Sequence, residues 1–142
     1  MNIHEFMRPE WFVLDDISAR DKKDLLEQVV ETLTRQGVLK DSTEVLNALM
    51  ERERLMSTGI KRGYAIPHAF TQQLEKSIVC FVRIPDGIDY QSLDGEPVFI
   101  IFLLLGPSEA QGLHLKLLAR LARLLSLGEL FQLLMSAQTP EE

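Results

Sequence analysis

Apolar positions recur along this chain with two different periods, and the change from one to the other divides it. Leu25, Leu26, Val29, Val30 and Leu33 recur at helical spacing and predict a first helix, which Gly37 stops. Ser18 is placed to cap that helix, with Asp21 three residues on as its capping-box partner. A second helix starts at Asp41 or Ser42, carries Val45, Leu46, Leu49 and Met50, and ends near Leu55, before Ser57 and Gly59. From there the period changes. "SIVCFVRI", residues 77–84, is β-branched and aromatic and predicts a strand. "VFIIFLLL", residues 98–105, is apolar at every position, the pattern of a central strand buried on both faces. Between them "PDGIDYQSLDGEP" holds two Asp-Gly turn signals. Gly106-Pro107 ends the second strand. Ser108 and Gln111 form another capping box, and a long helix follows through Leu125 with Lys116, Arg120 and Arg123 outward. A short helix in "GELFQLLMSAQ" finishes the chain. Helices first, then strands interleaved with helices, predict an α/β fold in which helices cover both faces of a sheet.

Composition narrows the function classes. The chain has 142 residues and shows no repeat or linker, so one domain over 1–142 is expected. Apolar residues make up 46% and charged residues 25%, the balance of a soluble globular protein. The net charge is −6 with no basic run, which argues against nucleic acid as a ligand. Cys80 is the single cysteine, so no internal disulfide is expected; a reducing cytoplasm fits that count. Its place in a strand reads as inert core. "MNIHEFMRPEWFVLDD" lacks the pattern of a signal peptide, and "VFIIFLLLG" is too short to span a bilayer as a helix. The expectation is a soluble, cytoplasmic domain with no direct membrane insertion.

Chemistry concentrates in "STGIKRGYAIPHAF", residues 57–70. Pro67 fixes its own φ and biases Ile66 toward extended backbone. "GYAI" therefore predicts a strand that stops at Pro67 and leaves His68 on the first loop residue, where a rigid scaffold can present it. Gly59 and Gly63 let backbone N–H groups turn toward a ligand. Ser57 and Thr58 add hydroxyls, and Arg52 brings a fixed cation with a fork of donors. These are the parts of an anion site with a nucleophile in it. Neutral imidazole suits phosphoryl transfer, since its lone pair is free near pH 7 and a phosphoryl group on nitrogen is labile enough to pass on. Such a transfer asks for in-line positioning and charge neutralisation, which backbone N–H groups, Ser57 and Arg52 can supply without a metal. His114 shares a helix face with Leu117, Leu118, Leu121 and Leu125, so it points inward, toward a phosphoryl oxygen or the His68 ring. Two histidines without a third ligand make a weak metal site, and no cofactor is expected. The bland readings are a loop histidine, a core histidine, a solvated "ERER" helix face and a serine that merely stops a helix.

"RERLMSTGIKRGYAIPHAF" together with "GPSEAQGLHLKLLARLARLL" resembles the enzyme IIA domain of the bacterial phosphotransferase system, of the fructose/mannitol class, and most of all its soluble nitrogen-regulatory members. The resemblance runs over essentially the whole chain, including "PEWFVLD", "DGIDYQSLDGEPV" and "VFIIFLLLGP". It implies a mixed, roughly five-stranded central sheet flanked by helices. It implies that His68 accepts a phosphoryl group from an HPr-like carrier. Arg52 matches the family's active-site arginine, Ser57 the serine of its "STG" and His114 its second active-site histidine. Three features depart from the family pattern. Met56 replaces a glycine, Lys61-Arg62 replaces Gly-Asn, and Ala69 replaces the glycine after the histidine. Ala69 restricts the chain if that position needs φ > 0, and Lys61-Arg62 bears on partner docking. Nitrogen or metabolic regulation is the leading expectation. A sugar-specific component passing phosphate to a IIB domain stands beside it, as does a binding module for regulatory target proteins, toggled by phosphorylation or no longer phosphorylated.

Overall fold

The computed structural model describes all residues except 1–5, 8–10, 15–18, 20, 60–62, 93, 127–129 and 137–142. Its elements are β1 (Phe12–Leu14), α1 (Lys22–Arg35), α2 (Ser42–Leu55), β2 (Tyr64–Ala65), β3 (His68–Phe70), β4 (Ile78–Ile88), β5 (Val98–Gly106), a 3₁₀ turn (Ser108–Ala110), α3 (Gln111–Leu125) and α4 (Leu130–Ser136).

The two long apolar runs form the centre of the sheet. β4 and β5 pair antiparallel, with Phe81 opposite Phe102. β1 runs parallel to β4. The other edge of β5 is shared by two short parallel segments, β2 beside Ile100 and Ile101, then β3 beside Leu104 to Gly106. The roughly five-stranded sheet expected from the resemblance is thus an open sheet four strands wide, its fourth position filled by β2 and β3 in succession. Side chains alternate along a strand, and here the alternation feeds two separate cores. Ile101, Leu103 and Leu105 join Leu25, Leu26, Val29, Val45 and Leu49 of α1 and α2. Ile100, Phe102 and Leu104 join Leu117, Leu121 and Leu125 of α3. Each such side chain contributes about 1.5–3 kcal/mol over leaving it exposed.

Several boundaries differ from those the sequence predicts. Asp21, not Ser18, caps α1; its carboxylate accepts from the Asp24 N–H at 2.9 Å, and Ser18 lies outside the described residues. Gly37 ends α1 as expected, at φ +81°, with the Val38 N–H reaching the Leu33 carbonyl at 2.9 Å. α2 has the expected bounds, capped by Asp41. The Ser108–Gln111 capping box does not form: residues 108–110 make the 3₁₀ turn, and the Ser108 hydroxyl instead accepts from Gln72. Of the two Asp-Gly signals only Asp94-Gly95 turns the chain; Asp86-Gly87 lies inside β4, within a break of register between Arg83 and Ile88. β1 has no counterpart in the sequence pattern, three residues being too few to show a period. The start and end of the last predicted helix lie outside the described residues, which retain 130–136 as α4. Among the described residues no helix is long and apolar enough to cross a membrane.

Candidate functional site

His68 is not on a loop. Ile66 and Pro67 interrupt the edge of the sheet, and His68 opens β3, opposite Leu104. The Pro67 carbonyl accepts from the Leu104 N–H at 3.0 Å, so the interruption is itself tied to the central strand. His68 Nδ1 lies 2.8 Å from the Ile66 carbonyl oxygen. That oxygen can only accept, so Nδ1 carries the proton. The Arg52 Nε–H donates to His68 Nε2 at 3.1 Å. Arginine can only donate, so Nε2 holds a lone pair. Two neighbours, one on each ring nitrogen, therefore select the same neutral tautomer. The His68 basicity lies below its ordinary value, first because burial disfavours the cation. The Ile66 bond works against that, the Arg52 charge adds to it, and the Glu53 charge opposes it.

Arg52 sits on the last turn of α2. It also donates through Nη1 to the Met56 carbonyl at 2.8 Å, where the helix ends and the backbone becomes extended. Across the cavity, His114 stands on the first turn of α3 and is 2% exposed. Its ring centroid is 5.6 Å from that of His68 and 4.4 Å from that of Phe70. Among the described residues neither ring nitrogen has a hydrogen-bond partner. Burial, and then the neighbouring His68, push its pKa down to about 4, so it is neutral at pH 7. An open cavity of about 550 Å³ adjoins the pair, lined by Arg52, Leu55, His68, Phe70, His114 and Leu115 among others. Leu55, Met56, Leu115 and Phe70 stand exposed.

Of the four residues singled out from sequence, the fold brings Arg52, His68 and His114 around one cavity. Ser57 is not among its lining residues. Its hydroxyl accepts from the Gly59 N–H at 3.1 Å and donates to the Tyr90 carbonyl at 3.3 Å. The Gly59 N–H is thereby committed to Ser57 rather than turned toward a ligand. Ala69 is a buried strand residue paired with Leu105, and Gln91 is the one non-glycine at positive φ among the described residues, so the missing glycine costs no backbone strain. Lys61 and Arg62 lie outside the described residues, as does His4. Cys80 is buried, with its thiol pushed up to about 12 by burial, and is inert.

A buried polar cluster beneath the site is not among the residues singled out from the sequence. Glu53 is 7% exposed and accepts from Lys22 Nζ at 3.0 Å, the Thr58 N–H at 3.0 Å, the Thr58 hydroxyl and the Tyr90 hydroxyl at 3.2 Å. Burial, reinforced by the Glu53 charge, holds the Tyr90 phenol well above its ordinary pKa, so it stays a donor. Lys22 Nζ also lies 4.6 Å over the Tyr90 ring. One signal does point to it: Glu53 continues the Val45, Leu49 stripe at four-residue spacing, a charge on a buried face.

A family model described as phosphoenolpyruvate-dependent sugar phosphotransferase system, EIIA 2, matches residues 5–142. A nitrogen regulatory protein of Bradyrhizobium diazoefficiens is 39% identical over 127 residues, 88% of this chain and 80% of that protein. The fructose-specific EIIABC component of Bacillus subtilis is 34% identical over 141 residues, 99% of this chain but 22% of that protein. The crystal structure of the nitrogen regulatory protein IIA-Ntr from Neisseria meningitidis superposes with a TM-score of 0.89 at 34% identity, covering 98% of this chain and 94% of that one.

Proposed function

The chain belongs to the phosphoenolpyruvate-dependent sugar phosphotransferase system EIIA 2 family, and from that premise we propose that it is a histidine phosphocarrier whose acceptor atom is Nε2 of His68. On this reading 1–142 acts as one IIA domain, with helices closing both faces of its sheet. The observation that carries the proposal is the pair of bonds on the His68 ring: the proton pinned on Nδ1 by the Ile66 carbonyl, and the lone pair on Nε2 facing Arg52.

The donor is a phosphohistidine on an HPr-like carrier. The new Nε2–P bond forms as the donor's N–P bond breaks, and the donor nitrogen keeps the electron pair. The His68 ring gains a formal positive charge, which the Ile66 carbonyl offsets through Nδ1–H. Arg52 moves its Nε–H from the lone pair to a phosphoryl oxygen, where a guanidinium is stabilising. Neutral His114 donates one N–H to another oxygen without repelling the His68 cation. The transfer needs positioning and charge stabilisation rather than a metal. Ser57 is the weakest member of the set, since its hydroxyl is engaged below the cavity.

Regulation is the favoured use, supported by the 39% identity to one nitrogen regulatory protein and the 0.89 superposition on another. A sugar-specific role, passing the group to a IIB domain, is supported by the match of nearly the whole chain to the fructose-specific component. The test is intact mass after incubation with phosphoenolpyruvate, enzyme I and an HPr-type carrier. Wild type should gain one acid-labile phosphoryl group and His68→Ala none. A wild-type protein that gains nothing overturns the proposal. A chase with a fructose-type IIB domain then separates the two uses: rapid loss of the group to IIB favours transport, retention favours regulation.

A further inference from the structure

We propose that Glu53 is a positioning residue for His68, acting through Thr58 on both hydrogen bonds that fix the imidazole. The inference rests on the phosphocarrier reading for its reaction, and on the network beneath the cavity for its geometry.

A buried carboxylate is costly unless it is paired and hydrogen-bonded, and an apolar side chain on the same stripe would fill the space without that cost. Glu53 is nevertheless buried, and what it holds is the chain just after α2. Arg52 and Glu53 are consecutive, so they leave the helix about 100° apart. One faces the cavity and the other faces the segment beneath it. Two paths run from Glu53 to the ring. In the first, the Thr58 N–H and hydroxyl both donate to the carboxylate. The Thr58 carbonyl accepts from the Ile66 N–H at 3.0 Å. The Ile66 carbonyl then accepts the Nδ1 proton of His68 at 2.8 Å. In the second, pinning Thr58 back onto Glu53 closes a short loop that contains Met56, whose carbonyl takes Arg52 Nη1 at 2.8 Å. One carboxylate thus sets both the carbonyl that selects the tautomer and the aim of the arginine. Lys22, at 3.0 Å, neutralises it. Glu53 also opposes the acidifying effect of Arg52 on His68.

The test pairs two double variants, so that no charge is left buried alone. Lys22→Met with Glu53→Met removes the tether. Lys22→Met with Glu53→Gln removes the charges but keeps an amide that can accept from Thr58. Ring ¹⁵N shifts of His68 report its tautomer whether or not the protein takes phosphate. Wild type should show the single Nδ1–H tautomer. The double-methionine protein should show both tautomers and load phosphoryl groups about 100-fold more slowly, the order expected when a reacting group is misplaced by about 1 Å. The glutamine variant should recover the single tautomer and most of the rate. A single Nδ1–H tautomer in the double-methionine protein overturns the role, whatever its loading rate. Should that protein fail to fold, Lys22→Met with Glu53→Leu removes the same acceptor for both Thr58 donors and is read the same way: both tautomers support the role, a single Nδ1–H tautomer overturns it. A wild-type protein that takes no phosphoryl group overturns the proposed function instead, and the tautomer still decides the positioning.

Discussion

At the scale of single residues, burial and charge set the two imidazoles. His114 is packed on the apolar face of α3 against Phe70, and a cation there would lose its hydration and face His68. Its folded-state pKa, about 4, lies below the ordinary 6.5. The unfolded chain therefore binds a proton that the folded one refuses. The sign follows: stability is complete above about pH 6.5, falls as pH drops through that value, and goes on falling to about pH 4. His68 acts in the same direction. Urea midpoints across this range should decline in wild type, and His114→Leu should flatten part of the decline. An undiminished slope in that variant would show that the histidine is not buried neutral.

At the scale of elements, the least regular stretch is the end of β4. Arg83 pairs with Ile100, but the next register partner is Ile88 with Val98. The extra residues, with Pro85 among them, bulge out before pairing resumes, as extra residues in one strand must. Gly87 makes this possible, at φ +74° with the Phe99 ring 2.8 Å from where a Cβ would stand. Gly87→Ala should destabilise the fold by about 1–3 kcal/mol, the usual cost of a side chain held in a sparsely populated backbone region. Chemical denaturation measures this directly. Phosphoryl loading of the folded fraction should be unaffected, because His68, Arg52 and His114 all stand on other elements.

At the scale of the whole molecule, the cavity opens through an apolar rim on a chain of net charge −6. Leu55 on α2 is 82% exposed and Leu115 on α3 is 67% exposed, and both line the cavity with the histidines. Large apolar side chains gathered around a reactive group mark a surface that another protein covers. On the phosphocarrier reading that protein is the donor. Leu115→Glu should then raise the KM for the phosphorylated carrier on the order of tenfold, equivalent to about 1.4 kcal/mol of docking, with kcat largely retained. A fall in kcat with KM unchanged would place Leu115 in the transfer step rather than in docking.

What the chain determined by itself is whatever is encoded locally. The apolar periods of α1 and α2, the glycine after α1, and the continuous apolar run of β5 each follow from the spacing of neighbouring residues. The grouping of Arg52, His68 and His114 was legible from the residue types and from the family resemblance. Contacts between segments distant in sequence decided the rest. Residues 12–14 form a strand because β4 offers them an edge. Asp86-Gly87 bulges instead of turning because β4 resumes pairing with β5 beyond it. His68 sits in a strand because β5 has room beside Leu104 after Pro67. The tautomer of His68 depends on the Ile66 carbonyl, which is held through Thr58 by a glutamate on another element, itself neutralised by Lys22 31 residues away. Spacing along a chain reports which face a residue occupies; only the packing of one face against another decides which donor meets which acceptor.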